Sequence, residues 1–122
     1  MEISKPLIII PAHNEEAVLG HTIDLIHRTG INAYILVVDD GSTDRTETIA
    51  KEKSCEVLSL PKNLGKTSAV FSGIGLAIAR KSAATVLIDA DMTSIPAVSL
   101  RTLIENARTA STGKKSLMTV AK

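Results

Sequence analysis

Thr85-Val86-Leu87-Ile88-Asp89-Ala90-Asp91 decides how this chain is read. A short, largely β-branched apolar run stops abruptly at two carboxylates. Runs of this kind read as strands buried on both faces. The pattern recurs three times N-terminal to it. Leu7-Ile8-Ile9-Ile10 is stopped by Pro11, Tyr34-Ile35-Leu36-Val37-Val38 by Asp39-Asp40-Gly41, and Val57-Leu58-Ser59-Leu60 by Pro61. Ser116-Leu117-Met118-Thr119-Val120 has the makings of a fifth strand.

Helical patterns fill the gaps. Asn14 is placed to cap a first helix carrying Val18, Leu19, Ile23 and Ile26 and ending at Gly30. Asp44 and Glu47 are spaced as a capping pair for a second that ends near Lys53. Ala69, Val70, Gly73, Ile74, Ala77 and Ile78 form the stripe of a third, with Gly73 expected in close contact with the sheet. A fourth opens at Ser94-Ile95-Pro96, with Val98, Leu103, Ile104 and Ala107 on its apolar side. Strands alternating with helices imply right-handed crossovers and a three-layer α/β/α fold around a parallel sheet. Ligands of such sheets bind beyond the carboxyl ends of the strands.

Composition narrows the function. The 122 residues suit one domain, and 14 basic against 13 acidic residues leave a net charge of +1. That balance gives no electrostatic footprint for nucleic acid, and Tyr34 and Phe71 are too few aromatics for a base-stacking platform. Cys55 has no partner for an internal disulfide, so a reducing, cytoplasmic setting is expected, without excluding membrane association of a longer parent protein. No apolar stretch reaches the roughly 20 residues needed to span a bilayer.

The strand ends carry the polar groups. They are Pro11-Ala12-His13-Asn14-Glu15-Glu16, Asp39-Asp40-Gly41-Ser42-Thr43-Asp44, Pro61-Lys62-Asn63-Leu64-Gly65-Lys66 and Asp89-Ala90-Asp91. Each of the first three also reads as an ordinary turn or helix cap. Asp89 and Asp91 end a buried strand, where carboxylates need partners, and residues i and i+2 of extended backbone share a side. A divalent cation bridging phosphates takes one or two such oxygens. His13, His21 and His27 lack metal-ligand spacing and read as surface groups.

These blocks, in this order and spacing, resemble the nucleotide-binding half of a family 2 glycosyltransferase with the GT-A fold, over roughly residues 5–110. The resemblance implies a Rossmann-like parallel sheet in the order 3-2-1-4. It implies that Pro11 and Ala12 lie against base and ribose and that Glu15 lies near the nucleoside. Asp40 is expected to accept the imide N–H of uracil or the matching edge of another base. Lys66 is expected near the base or diphosphate, Asp89 on the ribose or donor sugar, and Asp91 on Mg²⁺ or Mn²⁺. The partners implied are a nucleotide-diphosphate sugar and an acceptor of unknown identity. A complete domain of this family is about twice as long or more, its later half supplying the catalytic base, so the chain is expected to be a truncated single domain. A non-catalytic nucleotide or nucleotide-sugar binding module is the alternative.

Three other readings fit less well. Leu60–Thr67 matches a P-loop except at its first glycine, where Leu60 stands. The Asp-x-Asp of a haloacid-dehalogenase phosphatase and the acidic pair of a receiver domain both follow a first strand, not a fourth or second. If the chain ends at Lys122, the strand at Thr85–Ile88 lies at the sheet edge unless Ser116–Val120 folds back on it, and a homo-oligomer is expected.

Overall fold

The computed structural model describes residues 5–109 and 117–120. The elements alternate as expected: β1 (Leu7–Ala12), α1 (Leu19–Arg28), β2 (Tyr34–Asp39), α2 (Thr46–Glu52), β3 (Glu56–Ser59), α3 (Lys66–Ala79), β4 (Thr85–Ile88), α4 (Ala97–Thr109) and β5 (Leu117–Val120). They form one sheet in the order β3-β2-β1-β4-β5, and every pair is parallel. The expected order 3-2-1-4 is therefore present. β5 runs along β4 from Thr85↔Leu117 to Ile88↔Val120, the fold-back alternative to an exposed β4 edge.

Side-chain alternation divides the core. Ile8, Ile10, Ile35, Val37, Val86 and Ile88 face α1, α2 and α4. Leu7, Ile9, Leu36 and Val38 face α3. The chain steps from β1 through β2 to β3 with helices on one face, then returns to β4 with α3 on the other, as crossovers of one hand require. α4 keeps the face of α1 while β4 to β5 runs the opposite way across the sheet, so this last crossover takes the opposite hand.

The reversal of direction falls between β1 and β4, and there the two strands part. Their pairing stops at Ile9↔Leu87, whereas β1 stays with β2 as far as Ala12↔Asp39. Pro11, which has no N–H to give, is tolerated in this central strand because it lies beyond the last β4 partner. The parting opens a crevice at the switch point of the sheet.

Four local expectations are corrected. The third apolar run is not buried on both faces: β3 lies at the sheet edge beside β2, with Glu56 and Ser59 exposed and Val57 and Leu58 half-buried. α1 starts at Leu19, not after Asn14, and its N-cap residue Val18 makes no side-chain cap. The reason is sideways bonding. Asn14 N–H donates to Ser42 Oγ (2.8 Å), Glu15 N–H to Thr46 Oγ1 (2.8 Å) and Glu16 N–H to Asp44 Oδ2 (3.2 Å). Asp44 does accept the Thr46 N–H at the start of α2 (2.9 Å), but Glu47 turns to Lys51 and Ser59 instead of completing the capping pair. Ile78 and Val98, counted on buried stripes, are 56% and 72% exposed. Gly73 behaves as expected: a Cβ there would lie 2.8 Å from Ile9 Cγ2 and 3.2 Å from Val38 Cγ2.

Candidate functional site

A cavity of about 460 Å³ occupies the crevice at the carboxyl ends of the strands. Pro11, Ala12, Glu15, Asp40, Lys66, Asp89 and Asp91, the residues singled out from the sequence, all line it, together with His13, Asn63, Gly65, Ala69 and Ala90. Convergence follows from topology. In a parallel sheet all carboxyl ends lie at one edge, and β2, β1 and β4 are neighbours there.

Asp40 is the most constrained member. It is 3% exposed, and its two carboxylate oxygens accept the backbone N–H groups of Leu64 and Gly65, each at 2.9 Å. The neighbouring Asp39, also buried, accepts the Ser42 N–H through Oδ1 at 3.1 Å and shapes the turn. Gly41 completes it with φ 66°, and a Cβ there would lie 2.4 Å from the backbone of Lys62 and Asn63. Only glycine lets the loops after β2 and β3 approach so closely.

On the opposite wall, Lys66 Nζ donates to Asp89 Oδ1 at 2.8 Å and ties the start of α3 to the end of β4. Ala90 and Met92 are held from behind by Thr22. Its hydroxyl donates to Ala90 O (2.6 Å) and accepts the Met92 N–H (3.1 Å), fixing the acidic turn to α1. Thr22 was not singled out from the sequence, although a polar residue on the Leu19, Ile23, Ile26 face was a legible signal. His13 and Asn63 were not singled out as site residues either. His13 is exposed, as read, but both of its ring nitrogens are bonded, Nδ1 to Asp40 O and Nε2 to Asn63 Nδ2, each at 2.9 Å.

The charges favour a cation. Glu15, Asp40, Asp89 and Asp91 bring four carboxylates to the wall against the single ammonium of Lys66. An anion as charged as a diphosphate enters such a site only with added positive charge. Among the described residues no group of three or more His, Cys, Asp or Glu side chains is placed to hold a metal ion. One or two carboxylates with phosphate and water oxygens, the usual surroundings of Mg²⁺ on a nucleotide, fit what is present. No helix among the described residues is long and apolar enough to cross a membrane.

Comparison with known proteins shows the family and fold. The family described as Glycosyl transferase family 2 matches residues 7–112. The 4,4'-diaponeurosporenoate glycosyltransferase of Staphylococcus aureus (strain USA300) is 32% identical over 118 residues, which cover 93% of this chain and 30% of that protein. Glucosyl-3-phosphoglycerate synthase from Mycobacterium tuberculosis, solved with Mn²⁺ and UDP-glucose, superposes with a TM-score of 0.71 at 26% identity, over 88% of this chain and 40% of that one. Its complex with Mn²⁺, UDP and glucosyl-3-phosphoglycerate gives 0.69 at 27% identity, over 84% and 39%. The chain thus spans 30–40% of the length of these relatives.

Proposed function

This chain belongs to glycosyl transferase family 2, and from that premise we propose that its cavity binds a nucleoside diphosphate sugar with a divalent cation, as the donor half of a glycosyl-transfer site. One observation carries the reading: the ends of β1, β2 and β4 and the start of α3 bring Pro11, Ala12, Glu15, Asp40, Lys66, Asp89 and Asp91 to a single cavity at the switch point. The synthase of similar fold is solved with Mn²⁺ and UDP-glucose, which supports a uridine donor.

In this reading Asp40 receives the imide N–H of the base. Its carboxylate is already oriented by two backbone donors and keeps lone pairs for a third. Pro11 and Ala12 bound the base and ribose through their backbone, and Glu15 stands beside the nucleoside. Asp89 holds a hydroxyl of the ribose or sugar, with Lys66 steadying it and lending positive charge to the diphosphate. Asp91 and the oxygens of the diphosphate would hold Mn²⁺ or Mg²⁺. Bound there, the ion would supply charge that offsets what builds on the diphosphate as the bond from the sugar's anomeric carbon breaks. The acceptor takes the sugar at that carbon.

Calorimetric titration with UDP and UDP-glucose, in Mn²⁺ and in EDTA, tests the proposal. Binding that weakens about tenfold or more without the metal is expected, since losing a direct ionic contact is worth at least ~1.4 kcal/mol. Asp91→Ala is expected to abolish the metal dependence while leaving the circular dichroism unchanged. Absence of nucleotide binding, or unchanged Mn²⁺-dependent affinity in Asp91→Ala, overturns it. Binding of UDP-glucose without transfer or hydrolysis selects the non-catalytic binding module.

A further inference from the structure

The loops after β1, β2 and β3 meet at His13, whose partners lie 27 and 50 residues away in the sequence. The ring's protonation follows from its neighbours. Nδ1 lies 2.9 Å from Asp40 O, a carbonyl that only accepts, so Nδ1 carries the proton. Nε2 lies 2.9 Å from Asn63 Nδ2 and 3.4 Å from Asn14 Nδ2. Neither amide is turned the other way: Asn63 Oδ1 accepts the Gly65 N–H (3.0 Å) and Asn14 Oδ1 accepts the Thr43 N–H (2.8 Å). Both amides therefore present N–H groups to Nε2, which is an acceptor. The ring thus donates from Nδ1 and accepts at Nε2.

The bonds close a circuit. Asp40 O receives His13, His13 receives Asn63, Asn63 receives the Gly65 N–H, and Gly65 shares that N–H with Asp40 Oδ2 while Leu64 N–H holds Oδ1. The 63–65 turn sets the plane of the Asp40 carboxylate, and His13 anchors the turn. Because Asp40 is buried and His13 is exposed, the circuit runs from a surface ring to the buried acceptor of the cavity.

We propose that His13 is a positioning residue for the nucleoside pocket, holding the Asn63–Gly65 turn so that the Asp40 carboxylate is aimed at the base. The part that concerns the base rests on the nucleotide-sugar reading above; the part that concerns the turn does not. A side chain at position 13 that lacks either the Nδ1 donor or the Nε2 acceptor opens the circuit. Asp40 then remains, but the backbone donors that orient it are released. Affinity for the nucleoside falls, and so does discrimination between a base that offers a ring N–H, such as uracil, and one that does not, such as adenine.

The experiment combines two readouts on the full chain with His13→Ala, Asn63→Ala and the double variant. Amide hydrogen exchange at Leu64 and Gly65 reports the turn whether or not nucleotide binds. Exchange about tenfold faster in His13→Ala, with the strand amides unchanged, is expected for the loss of one anchoring bond. Calorimetry in Mn²⁺ reports the pocket. A UDP affinity lowered about fivefold to tenfold is expected, with a smaller change for ADP and little additional loss in the double variant, because both residues act through one turn. In the unaltered protein, ¹⁵N imidazole shifts are expected to show Nδ1 protonated and Nε2 not, which tests the circuit without any variant. Unchanged exchange at Leu64 and Gly65, an Nε2-protonated ring, or equal losses for UDP and ADP overturns the assignment. If the unaltered protein binds no UDP, the nucleotide-sugar reading fails, while exchange and the ring tautomer still decide the anchoring role.

Discussion

Replacing Thr22 by valine tests whether a single hydroxyl holds the acidic turn in place. The two side chains are nearly isosteric, so packing against the Leu19, Ile23, Ile26 face is retained. What disappears is one acceptor and one donor. Thr22 is fully buried, and its partners Ala90 and Met92 are 2% and 4% exposed, so water does not replace the lost bonds. A buried polar group left without its partner costs about 1–3 kcal/mol, and two such groups about 2–6 kcal/mol. The added apolar methyl returns about 0.5–1 kcal/mol. A net loss of about 1–5 kcal/mol follows, a large share of the ~5–15 kcal/mol typical of a domain. Thr22→Ser is the matched control: it keeps the hydroxyl and gives up one methyl, for about 1 kcal/mol. Urea midpoints followed by circular dichroism rank the three proteins, and Mn²⁺-dependent UDP binding reports whether the turn bearing Asp89 and Asp91 has shifted. The expected order is threonine, then serine, then valine in both assays. A valine variant as stable as the serine variant refutes the reasoning.

Two glycines of α3 are expected to respond with opposite sign. Gly75→Ala meets nothing within 4 Å and gains about 0.5–1 kcal/mol of helix propensity, whereas Gly73→Ala drives a methyl against buried Ile9 and Val38 and loses about 1–3 kcal/mol more than it gains from the helix; thermal melts of the pair decide this. Acid is expected to destabilise the fold below about pH 4. Burial tends to raise Asp44, but hydrogen bonds from Thr46 and the Glu16 N–H outweigh it and hold the carboxyl below its usual range, while hydrogen bonds from Lys53 and Arg80 lower Asp24 and Glu56. Their contribution is present above the unfolded-state values and lost as pH falls through the folded ones, so the urea-midpoint gap between the parent and Asp44→Asn should narrow from pH 7 to pH 3. Burial pushes the Cys55 thiol up to about 11, so its reaction with a disulfide reagent at pH 8 is expected to be on the order of a hundredfold slower than in the urea-unfolded chain.

The amino-acid sequence by itself determined the elements and the rim. Four apolar runs of strand length, each cut off by proline or aspartate, specify strands; β1, β2 and β4 are largely buried, which leaves little room for polar alternation, whereas β3 lies at the sheet edge and is at most half-buried. Since parallel strands end at one edge, the residues just after each run, from Pro11 to Asp91, were legible as neighbours before any contact was known. The strand order 3-2-1-4 came from the resemblance of four blocks to a known family, not from periodicity. Tertiary structure alone decided how the polar groups of that rim pair. Asn14 is a plausible cap by local pattern, yet its backbone N–H goes to Ser42 and its side chain to Thr43, both on the loop after β2. Thr22 and Ala90 are 68 residues apart, and His13 and Asn63 are 50 apart. Hydrophobic burial acts through a period of two or 3.6 residues and is written locally in the chain. A hydrogen bond depends on one donor and one acceptor meeting within about 3 Å, and which pair meets is fixed only when the loops are brought together in space.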